Sequence, residues 1–438
     1  MDDRALAGAL VSRDARTPGG GRVKRVLLRR PVIAWALYDW ANSAFATTVM
    51  AGFFPIFFKQ YWSVGTEAAV STFRLGLANG VGSLLIALAA PLLGAMADRG
   101  GARLRMLAFF TLLGAVMTAS LYYVGQREWI AAVLLYSLAG IGFSGGVIFN
   151  DSLLMDVADP HEYDMASAYG YSLGYAGGGL LLLLNAAMVA SPASFGLESA
   201  ADAVRLAFPM VAAWWILFSL PCFLWVRELK PARPLPALAA ARAGWRELRS
   251  TIGEVRRYRP LLWFLLAYWL YIDGVNTIIK MAVDYGLSLG FPQQSLIAAL
   301  LITQFVAFPA ALAFGWLGSR IGARNGIFVA IAIYSAATVA AYWMRDISHF
   351  YLLAATIGLV QGGIQSLSRS YYAALVPPGK QGEFFGFYNM MGKFAAVLGP
   401  LMVGVTALVT GDTRLGMLSI LVLFVGGALL LARSRPAR

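Results

Sequence analysis

Twelve apolar runs, each long enough to cross a bilayer, constrain this chain more than any other feature. They fall at 32–58, 73–96, 106–124, 129–154, 166–190 and 204–226, then at 260–283, 295–317, 326–344, 349–374, 383–409 and 413–432. A transmembrane helix needs roughly 20 apolar residues, so each run predicts one span, numbered 1 to 12 in chain order. Only 13% of the 438 residues are charged, while 59% are hydrophobic. A soluble domain carries about a quarter charged residues, and a water-facing exterior cannot be built from half that supply. In lipid, backbone polar groups must be satisfied within the protein, which selects helices here. The predicted fold class is all-α integral membrane.

Lys and Arg are distributed unevenly between the two sides. With both termini cytosolic, the cytosolic segments hold 26 of the 35, the opposite side holds six, and three lie within spans. The positive-inside rule then predicts cytosolic termini for a multi-pass protein of the bacterial inner (plasma) membrane. The net charge of +13 follows from this topology, with attraction to anionic lipid as a second effect, and needs no nucleic-acid partner. Tyr61-Trp62, Tyr122-Tyr123 and Tyr342-Trp343 at predicted outer ends fit an interfacial aromatic belt. The expected organisation is a cytosolic tail at 1–31, a six-span half at 32–226, a cytosolic linker at 227–259, a second half at 260–432 and a tail at 433–438. The linker is expected to carry a short amphipathic helix from Trp245 to Tyr258.

Enzyme chemistry finds no footing. Cys222 is the only cysteine, so there is no intramolecular disulfide, and the two histidines, His161 and His349, are too far apart in sequence to suggest a zinc site. His161, among Asp159, Glu162 and Asp164, reads as a solvated loop residue. No phosphate-binding Gly-x-x-x-x-Gly-Lys-Ser/Thr segment occurs. No metal or cofactor is expected, and work against a gradient would draw on a proton, another ion or a solute.

The two sets of spans repeat one another. Gly94-Ala-Met-Ala-Asp98-Arg99-Gly-Gly-Ala-Arg103 follows span 2, and Gly315-Trp-Leu-Gly-Ser319-Arg320-Ile-Gly-Ala-Arg324 follows span 8. Span 1 carries Asp39-x-x-Asn42 and span 7 carries Asp273-x-x-Asn276, while Gly145-Gly146 has its counterpart in Gly362-Gly363. Both sets begin on the same side, so the repeat is parallel. Transporters so built bind substrate near the midplane between their halves.

The segment from Gly94 to Arg103 resembles the signature loop of the major facilitator superfamily, Gly-x-x-x-Asp-Arg-x-Gly-x-Arg. The second copy departs from it at Ser319, and the span 5 Gly-Pro pattern of antiporters is absent. More narrowly, the chain resembles the autophagy-related vacuole effluxer family and its bacterial relatives. That likeness is carried by 35–45 (WALYDWANSAF), 170–179 (GYSLGYAGGG), 273–277 (DGVNT), 365–370 (QSLSRS) and 383–389 (EFFGFYN). The resemblance implies a twelve-helix carrier, monomeric by analogy, in which spans 1, 4, 7 and 10 line a cavity. For the fungal branch it implies export of neutral amino acids from the vacuole.

Charged groups within a span cost about 2.5–3.5 kcal/mol on insertion scales and call for a reason. Asp39 and Asn42 share a face of span 1, Asp273, Asn276 and Lys280 a face of span 7, and Gln361, Gln365 and Arg369 a face of span 10. In span 4, Gly142, Gly146 and Asn150 repeat at four residues, with Asp151 beside them. Asp39, Asn42, Asn150, Asp273, Asn276, Gln361, Gln365 and Arg369 are therefore the candidates for substrate or coupling-ion contact, against the plainer reading of interhelical bonds. Asp39 and Asp273 are candidate titrating carboxylates, and Arg369 would hold a substrate carboxylate or pair with an aspartate. Gly94, Asp98, Arg99, Arg103, Arg320 and Arg324 are expected to form conformational latches. Gly170, Gly174 and Gly178 should pack span 5 against a neighbour, and Lys393, sharing a face with Asn389, reads first as an ion-pair partner. The expected function is a secondary active transporter, with membrane lipid around it, moving a small polar or zwitterionic solute by alternating access, amino-acid efflux among the possibilities. The alternative is a lipid flippase-like protein or another metabolite exporter on the same fold.

Overall fold

The computed structural model describes residues 27–66, 74, 85–86, 88–229, 231, 235–236, 239, 242–243, 253, 258–288, 290–377, 379–395 and 398–434. Most of the predicted N-terminal tail, of span 2 and of the linker with its amphipathic helix lies outside these residues. Among the described residues, eleven helices are long and apolar enough to cross a membrane, and none of the secondary structure is strand. They are Arg30–Trp62, Arg103–Tyr123, Trp129–Val157, Tyr163–Ala190 and Ala200–Trp225 for spans 1 and 3 to 6. Arg259–Ser288 forms span 7, and Gln293–Ile321 forms span 8. Spans 9 to 12 are Ala323–Tyr342, Ile347–Ala373, Gln381–Thr410 and Arg414–Arg433. Span 2 is represented by helical residues 85–86 and 88–100.

Local chemistry fixes the ends. Ser199 caps span 6 by accepting from the Asp202 N–H at 3.2 Å, and Asp346 caps span 10 by accepting from the His349 N–H at 3.0 Å. Both side chains satisfy a backbone donor that the helix itself leaves orphaned. Gly322, with φ at +87°, turns span 8 straight into span 9, a conformation that a side chain would resist. Span 1 is irregular, with wide π turns over Phe45–Phe53 and Phe58–Trp62. Such turns are uncommon and cluster at working sites.

Small residues set the helix crossings. A methyl group on Gly142 would overlap the backbone of Gly114, so spans 3 and 4 touch main chain to main chain. The Gly170, Gly174 and Gly178 stripe lies against span 1, facing Asp39, Ser43 and Thr47. Lipid gives apolar helices no hydrophobic reason to associate, so close packing of this kind does the work. One aromatic pair departs from the expected belt. Trp62 is fully buried, donating to the Val124 carbonyl at 3.3 Å and stacking on Phe208, whereas Tyr123 and Trp343 remain exposed.

Gly142→Val should cost about 1–3 kcal/mol through overpacking and lower the melting temperature of the purified protein. Gly140→Ala, where the space is open, should leave it unchanged.

Candidate functional site

Between the first six and the last six spans lies a cavity of about 450 Å³. Its floor is a buried charge cluster. The Arg369 guanidinium of span 10 donates through one terminal nitrogen to Asp39 Oδ2 at 3.1 Å and to Asp151 Oδ1 at 3.0 Å. Its Nε and other terminal nitrogen donate to the Ser167 hydroxyl and carbonyl, each at 2.9 Å. The rings of Trp35 and Tyr171 lie 4.7 Å and 4.3 Å from the guanidinium carbon. One cation of the second half is thus held by spans 1, 4 and 5 of the first. Asn150 donates to Asp39 Oδ1 at 3.0 Å, and Asn389 of span 11 to Asp151 Oδ2 at 3.2 Å.

Above this floor the lining divides by character. Asn42, Ser43, Thr47, Gln304, Gln361, Gln365, Asn276 and Lys393 are polar or charged, and Tyr171, Tyr175 and Tyr268 add aromatic walls. Farther along, Ile279, Leu296, Leu300, Leu353 and Ile357 make an apolar chamber. The lining reaches Leu296 and Phe350, close to the first residues of spans 8 and 10. It therefore extends toward the end of the molecule away from the termini.

The terminus-bearing end is shut by two seams. In one, Asp98 accepts from the N–H groups of Gly382 at 3.0 Å and Glu383 at 2.9 Å, at the start of span 11. A methyl on Gly94 would overlap the Gly382 carbonyl, so this contact requires glycine. Arg103 braces the carboxylate at 3.6 Å and pairs with Asp156 at 2.8 Å. In the other seam, Gly315 lies against Ala168, and Ser370 donates to Asp164 Oδ1 at 2.5 Å. The acid of this second seam sits on span 5, while Ser319 turns back to the Trp316 carbonyl at 2.7 Å.

Of the eight residues expected at the site, Asp39, Asn42, Asn276, Gln361, Gln365 and Arg369 line the cavity. Asn150 stands behind Asp39 as its hydrogen-bond donor. Asp273 is not among the lining residues. It is buried beneath the second piece of span 11, accepting from the N–H groups of Leu398 at 3.1 Å and Gly399 at 3.0 Å. Gly94 and Asp98 meet the other half. Arg103 is a buried helical residue rather than a loop residue, because its guanidinium also satisfies the Ser152 and Leu229 carbonyls. Arg99 is exposed, and Arg320 lies over Trp316. Arg324 donates to the Leu431 and Ala432 carbonyls within its own half. The Lys280 side chain lies outside the described set. Asp151 is the floor residue the expected site lacked, although an ionisable group within a span was the available signal.

Two halves of parallel helices around a cavity with a charged floor define a transporter of the major facilitator superfamily. Solved structures agree on the fold. The human organic anion transporter MFSD10 superposes with a TM-score of 0.69 over 95% of this chain and 100% of its own, at 16% identity. The major facilitator FucP in its outward conformation gives 0.67 over 93% and 100%, at 14%. Among sequence relatives, the major facilitator-type transporter YxiO of Bacillus subtilis is 38% identical over 91% of this chain and 93% of its own length. Autophagy-related protein 22 of Coccidioides immitis is 22% identical over 94% and 88%. The family described as vacuole effluxer Atg22 like matches residues 63–165 and 155–435, and the chain belongs to it.

Asp98 lies just past span 2, outside the spanning segments. Burial pushes its carboxyl up, Arg103 and the two N–H donors hold it down, and it comes to about 6 against an ordinary 3.8. The closed seam therefore binds a proton more tightly than an open one in which Asp98 meets water. Acidification through about 6 should favour closure, and alkalinisation should relax it. Between pH 7 and pH 5 the closed-to-open ratio should rise about tenfold by proton linkage. Distances between spin labels at Arg99→Cys and Ala374→Cys check this, and Asp98→Asn should abolish the response.

Proposed function

We propose that the chain is a secondary active carrier that moves a small polar or zwitterionic solute across a bacterial inner membrane by alternating access, with amino-acid efflux as its role. The observation that carries this reading is the cavity between the halves, of a volume suited to a small molecule and floored by charges from both halves. With the termini cytosolic, as the Lys and Arg distribution supports, the cavity faces outward and its floor is the inner gate. Opening that gate must part Arg369 from Asp39, Asp151 and Ser167. A proton or a substrate ammonium arriving at Asp39 competes with Arg369 for the carboxylate. That competition shifts the population toward the opened state. The working unit is a monomer in lipid.

The apolar chamber of Ile279, Leu296, Leu300, Leu353 and Ile357 supports a second reading, a solute with a hydrocarbon portion. A lipid flippase-like activity is its extreme form, and export of another metabolite an intermediate one.

Counterflow in proteoliposomes tests the first reading. Labelled neutral amino acids should accumulate against an unlabelled pool, and Asp39→Asn should abolish uphill transport while leaving exchange. Uphill transport at the normal rate in Asp39→Asn would remove its coupling role. Absence of counterflow for every amino acid, with folded protein, would leave the lipid or metabolite reading in its place.

A further inference from the structure

We infer that Lys393 of span 11, not Arg369, is the anion-binding residue of the cavity and takes a carboxylate group of the transported solute. The inference rests on the carrier reading above and names a recognition residue within that site.

Four charged side chains line the cavity: Asp39, Asp151, Arg369 and Lys393. Arg369 is committed to the floor. Its bonds go to the two aspartates and to Ser167, two aromatic rings flank it, and its side chain is 2% exposed. A solute carboxylate could reach it only by displacing an aspartate, which would bring a third anion into a floor that already holds two for one cation. Like charges at such range repel strongly where water is scarce.

Lys393 is placed differently. Asn389, one helical turn before it, is bonded to Asp151 at the floor. The Lys393 ammonium lies 5.8 Å from the centre of the Phe143 ring, and Phe143 stands two turns from Asp151 along span 4. Lys393 therefore sits in the layer above the floor, about 6 Å up per turn. Gln365 enters the same layer, one turn from Arg369. Its Oε1 accepts from the Tyr175 hydroxyl at 2.8 Å, which orients its NH2 group as a donor. An ammonium and an amide donor stand over a floor with one excess negative charge. A solute that carries both signs is matched by this order, its ammonium toward Asp39 and its carboxylate toward Lys393 and Gln365. A compact ammonium on a flexible stem also suits solutes of differing length.

The purified full chain is titrated with matched probes, leucine against leucinamide and succinate against succinamide, with thermal stability as the readout. For at least one pair the acid should bind wild type about tenfold tighter than its amide, as expected of a charge-assisted contact. The preference should collapse to about twofold in Lys393→Gln and persist in Lys393→Arg. A preference that survives in Lys393→Gln overturns the proposal, as does a wild type that binds neither acid better than its amide. If Lys393→Gln does not fold, Lys393→Met and Gln365→Leu replace it with the same two outcomes. Leucine counterflow by wild type is read in parallel. Its absence with acid preference intact removes amino-acid transport alone, and its presence without acid preference removes the Lys393 assignment alone.

Discussion

The Arg369 guanidinium is the one cation of the second half that three spans of the first half grip at once. Taking such a group out of water costs several kcal/mol, and its partners must restore that cost in full. Here two carboxylates, a hydroxyl and a carbonyl do so, with an aromatic ring toward each side. Removing one partner of a buried pair typically costs about 3–5 kcal/mol, because the remaining charge is stranded. Rocking between two states therefore cannot simply break this cluster. Something must replace the lost contacts as the halves part, and the cavity immediately above is where a proton or solute can do so. Asp39, at 14% exposure, is the more accessible of the two carboxylates, and Asp151, at 4%, is tied in addition to Asn389.

The rest of the closed end is arranged so that the halves can meet at this point. Glycine at 94 and 315 lets main chain approach main chain at two pseudo-equivalent seams. The seams are not chemically equal. In the first, an acid on span 2 receives the orphan donors at the start of span 11, a natural anion site by virtue of the helix dipole. In the second, the acid has moved across the seam to Asp164 on span 5, where it receives a hydroxyl. An interface with a charge on one side of one seam and on the opposite side of the other keeps both closed with different pH responses.

Much of this was legible in sequence because mid-span polarity is expensive. Asp39, Asn42, Gln361, Gln365 and Arg369 stood out as stripes, and all five line the cavity. Other features depended on contacts that no local pattern encodes. Asn150 and Asp151 are neighbours on one helix, and the four-residue glycine spacing favoured Asn150, yet Asp151 reaches the other half. Span 11 reads as a single apolar run, whereas Leu398 begins a separate helical piece whose backbone donors claim Asp273. The matching Asp-x-x-Asn pair in spans 1 and 7 is thus alike in sequence and different in place. Asp98 was legible as a latch residue, but its partners are backbone N–H groups 284 and 285 positions away.

The central claim is that Arg369 holds the terminus-bearing end closed. Ala373, one turn beyond Arg369 and buried, reports on it directly as a single cysteine, with Cys222→Ser removing the native thiol. The measurement is its rate of modification by a hydrophilic thiol reagent in purified protein. The rate should be slow with Arg369 present and rise about tenfold or more in Arg369→Gln, as expected from the loss of a buried pair. An unchanged rate would mean that the seams close this end by themselves and that the guanidinium is not the gate.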